Sequence, residues 1–234
     1  RIAALDIANI VRMFRHSVAQ QLTAISQFMW VVAESDLPQA ERLAFAEEVD
    51  ELLQRFEAFN RTMVQLMPEN NEQMSINLQK INITESLNKT ALLFKYYCQK
   101  ANIEFNVDSA VSPELCIYTN DILLHTILFN LLENAFKSVD QTNGVKKVTL
   151  QCQASEHAFI FSVTDNGKGV DANISDDIFK MGFSGSKNGS GIGLPTCKLM
   201  ARKLQAEIEL DNEYTEKGVG AKFNLTFKLP KLNK

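Results

Sequence analysis

Glycine is missing from the first 143 residues of this 234-residue chain, and lysine from the first 79. Backbone that must adopt positive φ, or let a ligand approach closely, has no glycine to use there, so the front of the chain is expected to be regular structure. No apolar run approaches the ~20 residues that a membrane-spanning helix needs, and no signal-peptide pattern opens the sequence. The chain begins at Arg1 inside a stretch that reads as helix, which predicts a cytoplasmic piece of something longer, without membrane contact of its own. Cys98, Cys116, Cys152 and Cys197 show no C-x-x-C pairing, so neither a zinc site nor a disulfide framework is expected. The net charge of −4 lacks the basic excess of a general nucleic-acid binder. An apolar fraction of 45% excludes a disordered or low-complexity chain.

What is present is divided. Residues 1 to 75 carry 11 acids against 6 bases, all arginine, while the remainder carries 17 acids and 18 bases. Seven of the ten glycines lie between Gly167 and Gly193. An acidic, glycine-free front is joined to a near-neutral back with one stretch built for close backbone approach. The polar joint Pro68-Glu69-Asn70-Asn71-Glu72-Gln73 reads as the boundary, with a front domain at 1–69 and a back domain at 76–234.

In the front, Ile7, Val11, Phe14, Val18, Gln21, Ile25, Phe28 and Val32 step alternately by four and three, the seam of a helix that packs on other helices. Asp36 and Pro38 suit the start of a second helix. Its seam is Ala46, Val49, Leu53, Phe56, Asn60, Met63 and Met67, ending at Pro68. Leu22, Met29, Leu52, Phe59 and Leu66 widen both stripes beyond what one partner helix covers. The pattern therefore predicts a helical hairpin that dimerises into a four-helix bundle. His16 sits about 200° round the helix from both Phe14 and Val18, facing solvent.

The back changes period repeatedly. It predicts strands near Ile76 to Ile81, Ile103 to Asp108, Leu115 to Thr119, Lys147 to Ala154, Ala158 to Thr164, Glu207 to Asp211 and Ala221 to Leu229. Helices are expected near Thr84 to Lys100, Asn120 to Asp140 and Leu194 to Leu204. This is an α+β sandwich with helices on one face of a mixed sheet. Three segments carry chemistry. Asn130, Asn134 and Lys137 share one helix face, where two carboxamides and an ammonium suit a hydrated Mg²⁺ and the phosphates it bridges. Asp165-Asn166-Gly167-Lys168-Gly169 follows an alternating strand, placing a fixed acceptor beside permissive backbone. Such an acceptor can read an exocyclic amine. Lys187-Asn188-Gly189-Ser190-Gly191-Ile192-Gly193-Leu194 feeds the start of a helix whose free N–H groups suit phosphate.

The three segments, in this order, resemble the N, G1, F and G2 boxes of the GHKL ATP-binding fold shared by sensor histidine kinases, Hsp90, gyrase and MutL. The resemblance covers roughly residues 76 to 230. It implies that Asp165 binds the adenine amine, that Gly167 and Gly169 shape the adenine pocket, and that Asn134 with Asn130 holds Mg²⁺ and phosphates. It also implies that Lys137, Lys187 and the backbone of Gly189, Gly191, Ile192, Gly193 and Leu194 contact the phosphate chain, under a mobile lid around 172–190.

The water-splitting members of that superfamily resemble one another in carrying a glutamate, as general base, where this chain has Asn130. Transfer to a protein nucleophile is therefore favoured. His16-Ser17-Val18-Ala19-Gln20-Gln21-Leu22-Thr23-Ala24-Ile25 looks like the phospho-acceptor box of one branch of sensor histidine kinases. The resemblance implies a homodimeric kinase in which ATP and Mg²⁺ phosphorylate His16, with transfer onward to an aspartate of a response-regulator receiver domain. Ser17 stands where the family carries an acid that takes the imidazole proton. If the hairpin turns near 36–37, Glu57 lies level with His16 and is expected to substitute in part, while Gln20 and Gln21 lie within a turn and could position a water. Two alternatives stay open: a kinase-deficient nucleotide-binding scaffold acting as phosphatase or phosphotransfer hub, and an ATPase of the chaperone or DNA-repair type.

Overall fold

The computed structural model of the protein describes residues 77–140, 142, 144–180, 183, 193–215 and 220–229. The chain divides into two compact units, Arg1–Ser75 and Ile76–Lys234. The expected hairpin of residues 1–69 lies outside the described residues.

Capping side chains set where the helices begin. Asn82 closes the short strand β1 (Gln79–Asn82), and its Oδ1 accepts the Glu85 N–H at 2.9 Å, starting helix α1 (Ile83–Lys100). Asn120 does the same after β3 (Cys116–Thr119), accepting from Leu123 N at 3.0 Å to start α2 (Asp121–Asp140). Each cap satisfies a donor that the first helical turn leaves without a partner. At the other ends, Asn102 and Gln205 take left-handed φ of 53° and 56°. That conformation terminates α1 and α3 (Gly193–Lys203).

Five strands form one sheet in the order β2 (Ile103–Ala110), β4 (Lys146–Ala154), β5 (Ala158–Asp165), β7 (Ala221–Lys228) and β6 (Ala206–Leu210). Only the β2–β4 pair is parallel. Strands β1 and β3 make a separate antiparallel pair. Alternation is clean on β7, where Ala221, Phe223, Leu225 and Phe227 are buried and the residues between them are not. One face is therefore dry and the other wet. The three long helices cover the dry face: α1 lies on β2, α2 on β4 and β5, and α3 on β6.

Helix α2 is the centre of this layer. Leu123, Leu124, Ile127, Leu128, Leu131 and Leu132 are fully buried, because the helix touches α1, α3 and the sheet at once. Phe136 joins three elements, meeting Phe94 of α1 and Phe105 of β2 at 5.0 and 5.4 Å between ring centroids. Cys98, Cys152 and Cys197 are buried free thiols, and burial pushes Cys98 and Cys152 up to about 12, which makes them inert packing groups. The sandwich expected from the alternating periods is the one observed. Two short elements were not anticipated: a 3₁₀ turn at Ala172–Ile174 and a helical turn α4 at Asn212–Thr215, each too brief to show a periodicity. No helix among the described residues is long and apolar enough to cross a membrane.

Candidate functional site

Asp165 is the last residue of β5, paired with Val148 on one side and Ala221 on the other. It falls on the buried face of the strand and is only 3% exposed. The Gly167 N–H donates to its Oδ1 at 2.8 Å. The Ser138 hydroxyl and the Ala221 N–H also bond to the carboxyl. Burial raises the pKa of Asp165 above the ordinary carboxylate value, and the three donors oppose that rise without cancelling it. The result is a sequestered carboxylate held from inside the protein.

The glycines around it are required by contact. A Cβ on Gly167 would stand 2.1 Å from Ser138 Oγ and 2.7 Å from the Ser138 backbone carbon, so the loop after β5 lies directly on the end of α2. Gly169 has φ +72° and faces the Gly220 carbonyl. Gly220, at φ +119°, leaves no room at all, since its Cβ would lie 1.8 Å from the Asp165 carbonyl oxygen. Asn166 fastens the loop to the start of β4: its Oδ1 accepts from Lys147 N at 2.7 Å and its Nδ2 donates to the Val145 carbonyl at 2.8 Å.

The residues expected on one face of α2 divide by depth. Asn130 is 3% exposed and its Nδ2 donates to the Thr126 carbonyl at 2.8 Å. A carbonyl only accepts, so the amide nitrogen is committed and the side-chain oxygen is turned away from the helix backbone. Asn134 is half-buried one turn on. Lys137 is exposed, and its Nζ forms an ion pair with Glu133. Glu133 therefore lies along the Lys137 row, and an exposed pair of this kind is weak enough to be exchanged for a stronger anion.

Gly193 and Leu194 open α3 as expected, with Pro195 in its first turn. Lys187, Gly189, Gly191 and Ile192 lie outside the described residues, as do His16, Ser17, Gln20, Gln21 and Glu57. The start of the expected lid is anchored. Ile178 is buried, its N–H bonds to the Ile174 carbonyl at 3.1 Å, and the Phe179 ring meets Phe223 of β7 edge-on at 6.3 Å. Lys198 of α3 sits over the Phe179 ring at 5.2 Å.

Residues 119–231 match the family of histidine kinase-, DNA gyrase B- and HSP90-like ATPases. The chain is 25% identical over 212 residues to the signal transduction histidine-protein kinase AtoS of Escherichia coli strain K12, a match covering 90% of this chain and 33% of AtoS. Among solved structures, the fold is similar to the catalytic domain of histidine kinase ThkA, with a TM-score of 0.58 and 19% identity over 65% of this chain and 96% of that one. It is also similar to ThkA in complex with the response regulator protein TrrA, at 0.57 and 17%, over 94% and 61%. This chain is similar to a histidine kinase over most of its length, and its residues 119–231 carry the match to these ATPases. It spans a third of the length of AtoS, and its ATPase domain is an ATP-binding one.

Two residues at the heart of this histidine kinase-like domain, Ser138 and Gly220, were not singled out in the sequence. Gly220 had a signal, because Gly218-Val219-Gly220 immediately precedes an alternating strand. Ser138 had none: a serine after Lys137 near a helix end is ordinary until the loop from β5 is seen lying on it.

Proposed function

We propose that this chain is the dimerisation and catalytic core of a protein-histidine kinase, which phosphorylates His16 from ATP and passes the group to a response-regulator aspartate. The observation that carries the kinase reading is the state of helix α2. Asn130 holds a neutral amide tied to the Thr126 carbonyl, so at this position of α2 a group that cannot take a proton from water stands where the water-splitting members carry a glutamate. The buried Asp165 carboxylate and its glycine cradle fit a purine bearing an amine. The carboxamide oxygens of Asn130 and Asn134 fit a hard cation. Mg²⁺ held there by Asn130 and Asn134 would neutralise negative charge on the phosphate chain.

The chain's own groups do the rest. Asp165 orients the base; Lys137, Lys187 and the N–H groups from Gly189 to Leu194 hold the phosphates. His16 attacks the γ-phosphorus, forming an N–P bond as the P–O bond to ADP breaks, and the imidazole proton passes to a base. Glu57 is that base in part. In the second step a receiver-domain aspartate takes the phosphoryl group as an acyl phosphate and His16 recovers a proton. The ThkA–TrrA complex supports such a partner, and the widened apolar stripes of 1–69 support the homodimer.

Incubation with γ-labelled ATP and Mg²⁺ tests the reading. An acid-labile, alkali-stable label is expected on the chain and is lost in His16→Ala. Glu57→Gln is expected to slow labelling by at least about tenfold; an unchanged rate removes Glu57 from the mechanism. Ser17, where the family carries an acid, favours one second reading: a scaffold that binds ATP without becoming labelled and dephosphorylates its partner through water held near Gln20 and Gln21. Bound nucleotide without label would support it.

A further inference from the structure

Asp165 receives more internal hydrogen bonds than a base-reading carboxylate needs, and one of them comes from a different element. An ionised carboxylate offers about four lone-pair sites. The Gly167 N–H takes one at 2.8 Å, and the Ala221 N–H and the Ser138 hydroxyl take two more. The first two donors are backbone of the loop and strand that carry or flank Asp165, and they come with the fold. Ser138 is a side chain reaching across from α2, and its position is bought with a glycine: the space a Gly167 Cβ would fill is where Ser138 Oγ lies, 2.1 Å away.

We infer that Ser138 is a positioning residue that sets this domain's preference for adenine, by holding the Asp165 carboxylate so that its remaining lone pair points in one direction. The inference rests on the reading of Asp165 as the acceptor of an exocyclic amine. With three donors in place, the open site can accept the proton of a 6-amino group, whereas a 6-carbonyl would bring lone pair against lone pair. Without the Ser138 hydroxyl, a second site on the carboxylate is open to water and the group is free to turn about its terminal bond. Base discrimination then falls, although the pocket wall is intact.

Ser138→Ala removes one oxygen and replaces serine by a better helix former, so α2 is expected to persist. The test is equilibrium binding by the full chain of ATP and of purine riboside triphosphate, which has hydrogen in place of the 6-amine. Wild type is expected to prefer ATP. In Ser138→Ala that preference falls between about threefold and tenfold, the value of one hydrogen bond to a fixed acceptor, while affinity for the analogue changes less than about twofold. Equal weakening of both nucleotides would mean that Ser138 only supports the fold, and would overturn the inference. So would a preference that disappears in Asp165→Asn but survives in Ser138→Ala. A wild type that does not distinguish the two nucleotides would overturn the reading of Asp165 itself, and the inference with it.

Discussion

Asp165 is a residue whose ionised form costs the folded state something. Its pKa is raised in the fold, chiefly by burial, so the folded protein binds that proton more tightly than the unfolded chain does. The stabilisation belonging to the protonated form is complete below the unfolded value near 3.8 and is lost as pH rises through the higher folded value. Relative to Asp165→Asn, the wild type is therefore expected to lose melting temperature as pH is raised from acidic towards neutral, and calorimetry across that range checks the sign. If Asp165 reads the base as proposed, the variant is also expected to lose its preference for adenine, and Asp165 would be a place where function is kept at the expense of stability. Gly220 is the opposite case, a residue kept for the fold. Gly220→Ala combines φ +119° with a Cβ 1.8 Å from the Asp165 carbonyl oxygen, and should destabilise by at least about 2 kcal/mol in urea. Gly167→Ala drives a methyl into the Ser138 backbone, parting the loop from α2, and should weaken ATP binding by at least about tenfold.

At the scale of elements, α1 and α2 are locked by a buried polar cluster. Thr90 Oγ1 gives its proton to the Ser86 carbonyl at 2.9 Å, so it must accept from His125 Nδ1 at 2.6 Å. Nε2 of the same ring meets Ser86 Oγ at 3.3 Å and Asp121 Oδ1 at 3.1 Å. His125→Ala removes a partner from buried hydroxyls and leaves a hole, and is expected to cost about 1–3 kcal/mol by denaturant melt. This cluster was not legible in the sequence, because Ser86, Thr90 and His125 join two helices whose contact no local pattern states. The helices themselves were legible. Asn82 and Asn120 are capping residues in front of apolar runs, and Asn130, Asn134 and Lys137 were readable as one row because helix period is a local property. Their different depths were not, since only the packing of α3 and the sheet against α2 decides which member of the row is buried.

At the scale of the whole molecule, the proposed function would divide the labour between the two units. The glycine-free front carries the proposed nucleophile, and the back carries glycines where main chain must meet main chain. The dimer expected from the stripes of 1–69 should sediment at twice the chain mass of 26.3 kDa. A Phe14→Glu, Phe28→Glu double substitution in that seam should leave the monomer, because two carboxylates cannot be buried unpaired in a four-helix core.

By itself the sequence determined the order of the long helices and strands in the back unit, the family match of residues 119–231 and the face on which its motif residues stand. Each of these depends on chain neighbours and on periods of two or 3.6 residues. Only the tertiary structure decided that Ser138, Gly167, Gly220 and Asp165 meet at one point. That meeting joins a helix end, a loop and two strands separated by dozens of residues, and nothing in the spacing of those residues records which backbone lies against which.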